Sequence, residues 1–150
     1  MGSDQTFPEL LQVVLDCTDA RQLAEFYRQL LGLSYRPGDD PRREITDGTK
    51  DKDWLVLRDS TGRNRLAFQQ VDDLTRTTWP ENSIPQQLHL DMTVPTYEAL
   101  EAQRRRATDL GARLIYDRSE DPLEPLHVYA DPAGHPFCIF VVTESMTSSE

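Results

Sequence analysis

The feature that most constrains this chain is a pattern that occurs twice. Residues 9–72 and residues 86–142 each read as strand, helix, short strand, loop, strand, glycine-containing turn and strand, and each helix stops at a leucine followed by glycine (Leu31-Gly32 and Leu110-Gly111). A repeat of whole supersecondary units says more about architecture than any single element does. The expected fold is therefore α+β: two βαβββ modules in tandem, forming curved mixed sheets around a cleft, with the helices on the outer faces. Residues 73–85, with Pro80 and Pro85, read as a connector, and residues 143–150 as a polar tail with little reason to be ordered. Together these make one domain over residues 1–150.

The elements follow from local chemistry. Glu9 to Cys17 is a strand of high apolar content, and Thr18 and Asp19 are N-cap candidates for a helix with Leu23, Phe26, Tyr27, Leu30 and Leu31 at helical spacing. Leu33–Arg36 reads as a short strand and residues 37–53 as a polar surface loop, followed by strands at 54–58 and 65–71. In the second half Gln86–Val94 alternates like a half-buried strand. Pro95 and Thr96 open a helix to Leu110, and short strands at 112–116 and 126–130 flank an acidic loop at 117–125. Asp131-Pro132-Ala133-Gly134 is a turn with a mechanism, since Pro fixes φ, Asp binds its own backbone and Gly tolerates positive φ. It leads into the apolar run Phe137–Val142.

A chain of 150 residues can bury a core without disulfides or a structural metal, and two cysteines are too few for a disulfide framework. Cys17 and Cys138 lie in apolar runs and are expected to be reduced, buried thiols. No stretch has the features of a signal peptide or a membrane span, so a soluble cytoplasmic protein is expected. The formal charge of −10 argues against nucleic acid, whose phosphates need a basic face. The basic cluster Arg104-Arg105-Arg106 reads as a solvated helix face, with Glu98 and Glu101 in pairing reach.

Strand parity assigns the two sides of the sheets. Leu11, Val13, Leu15, Leu66, Phe68, Leu88, Leu90, Phe137, Ile139 and Val141 should face the helices. The cleft side should carry Gln12, Val14, Asp16, Trp54, Val56, Ala67 and Gln69 from the first half. From the second it should carry His89, Asp91, His127, Tyr129, Cys138 and Phe140. An apolar and aromatic wall with a few polar groups suits a small-molecule pocket.

The paired modules, the Leu-Asp-Cys-Thr-Asp-Ala…Glu-Phe-Tyr…Leu-Leu-Gly-Leu run at 15–33, the Gln-Leu-His-Leu-Asp-Met-Thr-Val strand at 87–94 and Asp-Pro-Ala-Gly-His-Pro-Phe-Cys at 131–138 resemble the vicinal-oxygen-chelate superfamily. That superfamily includes glyoxalase I, extradiol dioxygenases, fosfomycin-resistance enzymes and bleomycin-resistance proteins, and the chain is most similar to its small glyoxalase-like domain proteins. The resemblance implies four metal positions, on the first and last strands of each module. They fall on Gln12, Ala67 (or Leu66), His89 and Cys138. Only His89 is a usual ligand there, because a hard Lewis-acid site needs His and carboxylate donors. The resemblance also implies a homodimer.

Two functions remain open on these residues. In the first, the cleft binds a small aromatic or natural-product ligand without a metal or other cofactor, like an antibiotic-sequestering bleomycin-resistance protein. Trp54, Tyr129 and Phe140 would then be stacking surfaces rather than simple core. In the second the chain is an enzyme, a glyoxalase-type lyase or isomerase or a ring-cleaving dioxygenase, and His89 is a ligand to a divalent metal. His89 near Asp91 can serve as base or donor, or only as a structural histidine. His135, in the turn, is expected to face solvent.

Overall fold

The structure, a computed structural model, describes residues 5–41 and 52–142. The elements are β1 (Val13–Cys17), α1 (Ala20–Leu31), β2 (Ser34–Tyr35), β3 (Trp54–Arg58), β4 (Asn64–Gln70), β5 (Leu90–Val94), α2 (Tyr97–Leu110), β6 (Arg113–Asp117), β7 (Leu126–Ala130) and β8 (Pro136–Val141). They form two four-stranded sheets of identical plan, β1-β4-β3-β2 and β5-β8-β7-β6. In each the module's first and last strands are parallel and the other neighbours antiparallel, so the repeat seen in the sequence is a repeat of topology. The expected tail at 143–150 and most of the expected loop at 37–53 lie outside the described residues.

Both helices begin on the expected side chains. Asp19 Oδ1 accepts from Gln22 N at 3.1 Å and Thr96 Oγ1 from Ala99 N at 3.1 Å, each satisfying an N–H that the helix leaves unpaired. Gly32 ends α1 in the left-handed region at φ 67°, which lets Leu33 N reach back to Arg28 O. Among the described residues no helix is long and apolar enough to cross a membrane.

Two strands start later than the sequence pattern suggests. β1 begins at Val13, paired with Leu66, and β5 at Leu90, paired with Phe137. Upstream of these pairs the partner strands run out, at Asn64 and at Pro136, which has no N–H to offer. Leu11 and Leu88, expected to face the helices, are accordingly 65% and 38% exposed.

The helices bind the two modules to each other. Leu15, Leu55, Leu57 and Phe68 of the first sheet and Tyr129, Phe137 and Ile139 of the second share one core with Phe26 and Tyr27 of α1 and Leu100 and Ala107 of α2. Tyr27 stacks on Phe68 of its own module, and Phe26 and Tyr27 both meet Phe137 of the other. Polar ties reinforce this junction: Arg106 donates to the carbonyls of Gln29 and Leu30 at the C-terminal end of α1, where a cation is favoured. His135, expected in solvent, instead places Nε2 2.7 Å from the carbonyl oxygen of Asp16.

Candidate functional site

Because one face of each sheet is used up by the shared core, the other is left open, and cross-strand register identifies it. On the first sheet Val14 pairs with Ala67, Asp16 with Gln69, Trp54 with Gln69 and Val56 with Ala67, so these six residues share the face opposite the helices. Val56 and Ala67 are buried in its middle, while Val14, Asp16 and Gln69 are exposed around them. Gln12 stands just ahead of β1, its Oε1 accepting from Asn64 Nδ2 at 2.9 Å.

On the second sheet Asp91 pairs with Cys138, Thr93 with Phe140, and Cys138 with Val128. The open face there is Asp91, Thr93, Leu126, Val128, Cys138 and Phe140, with His89 at its edge.

His127 and Tyr129 are not on that face, contrary to expectation. Tyr129 pairs with Phe137 and His127 with Ile139, which places both on the helix side, and Tyr129 stacks on Phe137 with centroids 5.1 Å apart. The reason is geometric. Five residues, 131 to 135, separate β7 from β8, and an odd number carries strand parity straight across the turn. The same count would have pointed to Leu126 and Val128 in their place.

His127 is fully buried, with Nε2 3.3 Å from Asp117 Oδ1 and 3.9 Å from Glu101 Oε1, yet in hydrogen-bond alignment with neither. Burial pushes its pKa below the usual histidine value, against the pull of the Asp117 and Glu101 charges. Tyr129 Oη lies 3.3 Å from its Nδ1.

The polar chemistry of the open faces is concentrated on one sheet. His89, Asp91 and Cys138 bring an imidazole nitrogen, a carboxylate oxygen and a thiol sulfur within 4.8 Å of one another. His89 Nε2 is 3.3 Å from Asp91 Oδ1, and its Nδ1 lies 3.2 Å from Gln86 Oε1. Burial, then the neighbouring Asp91 carboxylate, pushes the Cys138 thiol up to about 11, so without a further cation it is a protonated, weakly nucleophilic group. Cys17, facing the core, is likewise pushed up by burial, to about 12.

The four positions where the superfamily resemblance places metal ligands do not make a hard-metal centre here. Ala67 and its neighbour Leu66 have no donor atom, Gln12 is engaged by Asn64, and Cys138 supplies sulfur where carboxylate oxygen is usual. A crevice of about 50 Å³ between the modules, bordered by Thr18, Asp19, Arg76 and Pro132, is too small for an organic ligand.

Comparison with known proteins agrees with this architecture. The chain superposes on a glyoxalase/bleomycin resistance protein/dioxygenase family enzyme from Burkholderia phytofirmans PsJN with a TM-score of 0.63 at 18% identity, covering 91% of this chain and 100% of that one. FosX, the genomically encoded fosfomycin resistance protein from Listeria monocytogenes, solved as a mutant with Mn(II) and 1S,2S-dihydroxypropylphosphonic acid, aligns with a TM-score of 0.64. The identity is 13%, over 94% of this chain and 98% of that one. A glyoxalase-related enzyme from Fulvimarina pelagi gives 0.62 at 16% identity, over 91% and 89%. Among curated proteins none matches the sequence. The glyoxalase-like domain family model matches residues 12–140, spanning both modules, and the chain therefore belongs to the glyoxalase-like domain family.

Proposed function

We propose that this protein binds a small planar, apolar or aromatic molecule against the open faces of its sheets, without using a metal, and releases it unchanged, as an antibiotic-sequestering resistance protein does. The observation that carries this reading is Ala67. A buried methyl group in the middle of β4, beside Val14 and Val56, stands where the superfamily's metal chemistry needs a ligand. Trp54 and Phe140 extend the apolar surface, and aromatic walls of this kind stack on planar ligands. The formal charge of −10 favours a neutral or cationic ligand over an anionic one.

A homodimer belongs to this proposal. Contacts between the modules of one chain run through α1 and α2, and the two open faces lie away from that shared core. A second copy would close a cleft by setting its own open face against them. Light scattering on the eluting protein should give twice the chain mass, and a monomer mass at all concentrations would remove this part of the reading. Free Cys17 and Cys138 suit a reducing, cytoplasmic setting.

The binding test uses tryptophan fluorescence. With Trp79→Phe, Trp54 is the single remaining indole. Titration with a panel of planar aromatic antibiotics, in the presence of a chelator, should give saturable quenching at one molecule per cleft. Flat titrations across the panel would defeat the proposal. The second reading, a metal-dependent lyase, isomerase or dioxygenase, is favoured by His89 at one ligand position and by the Mn(II) bound to the FosX neighbour. Turnover of a glyoxalase or catechol substrate that requires Mn(II), Ni(II) or Fe(II) and disappears in His89→Ala would replace binding with catalysis.

A further inference from the structure

We infer that His127, Asp117 and Glu101 form a binding site for a divalent cation of the zinc class, on the helix side of the second sheet and away from both open faces. The site lies where α2, β6 and β7 meet, and each element contributes one donor. It goes beyond the ligand-binding reading and does not depend on it.

A buried imidazole supplies the first argument. His127 is fully buried, and among the described residues its Nε2 is the one buried side-chain nitrogen or oxygen with no hydrogen-bond partner. A polar atom in that position costs stability until something binds it. Two partly exposed carboxylates cover it, with Asp117 Oδ1 at 3.3 Å and Glu101 Oε1 at 3.9 Å. Asp117 and His127 are register partners on β6 and β7, so the backbone fixes two of the three donors.

The donor set is the second argument. One imidazole nitrogen and two carboxylate oxygens suit a borderline ion such as Zn²⁺ better than Mg²⁺, which keeps to oxygen, and three protein ligands with a fourth position for water are a common zinc arrangement. Nitrogen and oxygen ligands of a tetrahedral zinc stand about 3.3–3.5 Å apart. Asp117 already meets that spacing from Nε2, and Glu101, 40% exposed on α2, reaches it by a small rotation. Tyr129 Oη lies 3.3 Å from Nδ1 and can accept the proton of that nitrogen, as the outer-shell partner of a metal-bound histidine does. Burial pushes the imidazole pKa down, so the neutral form that ligates a metal is the form at hand. Ser119 N also donates to Asp117 Oδ1 at 2.8 Å and holds the carboxylate in place. Arg104 Nη1, 3.3 Å from Asp117 Oδ2, engages the other oxygen and opposes the charge of the ion. An ion here ties α2 to the edge strand β6 and to its neighbour β7.

The test uses the full chain, labelled with ¹⁵N, stripped with a chelator that is then removed, and titrated with Zn²⁺. Long-range ¹H–¹⁵N spectra follow both ring nitrogens of the three histidines, so the ligating atom is read directly. His127 Nε2 should move into the metal-bound range, saturate, and return when chelator is added. Glu101→Gln and Asp117→Asn should each weaken that transition by at least about tenfold, and Arg104→Gln should strengthen it. Zn²⁺ should also raise the melting temperature of the wild-type chain, and by less in His127→Gln. If circular dichroism shows that His127→Gln or Asp117→Asn does not fold, the Nε2 shift and Glu101→Gln, at a partly exposed helix position, decide the matter. A His127 Nε2 resonance that stays in place at saturating Zn²⁺, a shift confined to His89, undiminished affinity in Glu101→Gln, or an equal rise in melting temperature in His127→Gln would overturn the inference. The antibiotic titration is run with chelator present, so its failure and the failure of this site are separate results.

Discussion

The hydroxyl of Tyr27, in the first module, donates to Oδ2 of Asp131, in the second, at 2.6 Å across 104 residues of sequence, with both side chains buried. Asp131 Oδ1 meanwhile accepts from the backbone N–H groups of Ala133 and His135, so one carboxylate shapes the β7–β8 turn and fastens it to α1. Burial holds its pKa above the usual carboxylate value although the Tyr27 hydroxyl and the turn amides pull it down. Tyr27→Phe should cost about 1–3 kcal/mol at neutral pH, the usual penalty for a buried acceptor that loses its donor. Removing a donor that favours the charged form raises the folded pKa further above the unfolded value. The variant's deficit should therefore shrink as acid protonates Asp131. Urea unfolding of both proteins at neutral and mildly acidic pH measures this, and a deficit that grows on acidification would contradict it.

Asp39 completes a strand that is too short. β2 has only Ser34 and Tyr35, and beyond it Val56 of β3 gives its carbonyl to Arg36 N at 2.9 Å and its N–H to Asp39 Oδ2 at 3.0 Å. Burial of the carboxylate acts to raise its pKa, but Lys52, the Val56 amide and Arg36 outweigh that and hold it below the ordinary value. Asp39→Ala should leave the Val56 N–H buried without a partner, at a cost of about 1–3 kcal/mol. At about 2–4 °C per kcal/mol the melting temperature should fall accordingly, whereas an unchanged melt would show that β3 does not need this anchor.

What could be read in the sequence was local. Helix caps at Asp19 and Thr96, the stop at Gly32 and the Asp131–Gly134 turn are each decided by a few neighbouring residues, and all occur where the sequence places them. Trp54, Val56, Ala67 and Gln69 fall on the open face as register partners, Trp54 opposite Gln69 and Val56 opposite Ala67, and the exposed Gln69 marks that side. β7 has no exposed position to mark its faces. All five of its residues are buried, so His127 and Tyr129 could be assigned only through the turn, and the turn's odd length decided against the cleft. The packing of α1 on the second module was unreadable for another reason: it joins residues such as Phe26 of α1 and Phe137 of β8 through shape alone.

Gly134 is held by its neighbour as much as by its own torsion. Its φ of 98° disfavours any side chain, and a Cβ placed there would stand 2.8 Å from Arg76 Cγ, where the connector crosses the turn and Arg76 Nη2 reaches Pro132 O. Gly134→Ala should destabilise the protein by about 1–3 kcal/mol through this strain. Because the backbone and steric parts are separate, Arg76→Ala in the same chain should return part of the loss. Thermal melts of the two single variants and the double variant test this, and strictly additive losses would mean that Arg76 does not press on the turn.

His127 should make the protein acid-sensitive. Its buried Nε2 has no hydrogen-bond partner, and burial, followed by the opposing charges of Asp117 and Glu101 and the adverse one of Arg104, leaves its folded pKa below the ordinary histidine value. The unfolded chain then takes up this proton first, at a pKa of about 6.5. Stability from this group is therefore present above that value and is lost as pH falls toward the folded pKa, below which the loss levels off. In His127→Gln that contribution is gone. Between about pH 7.5 and 5.5 the wild-type protein should lose urea stability relative to the variant, whatever their difference at the upper end. Parallel stability profiles would mean that the imidazole has the same pKa folded and unfolded, and a wild-type protein that gains on the variant as pH falls would mean that the folded state holds the proton, paired with Asp117.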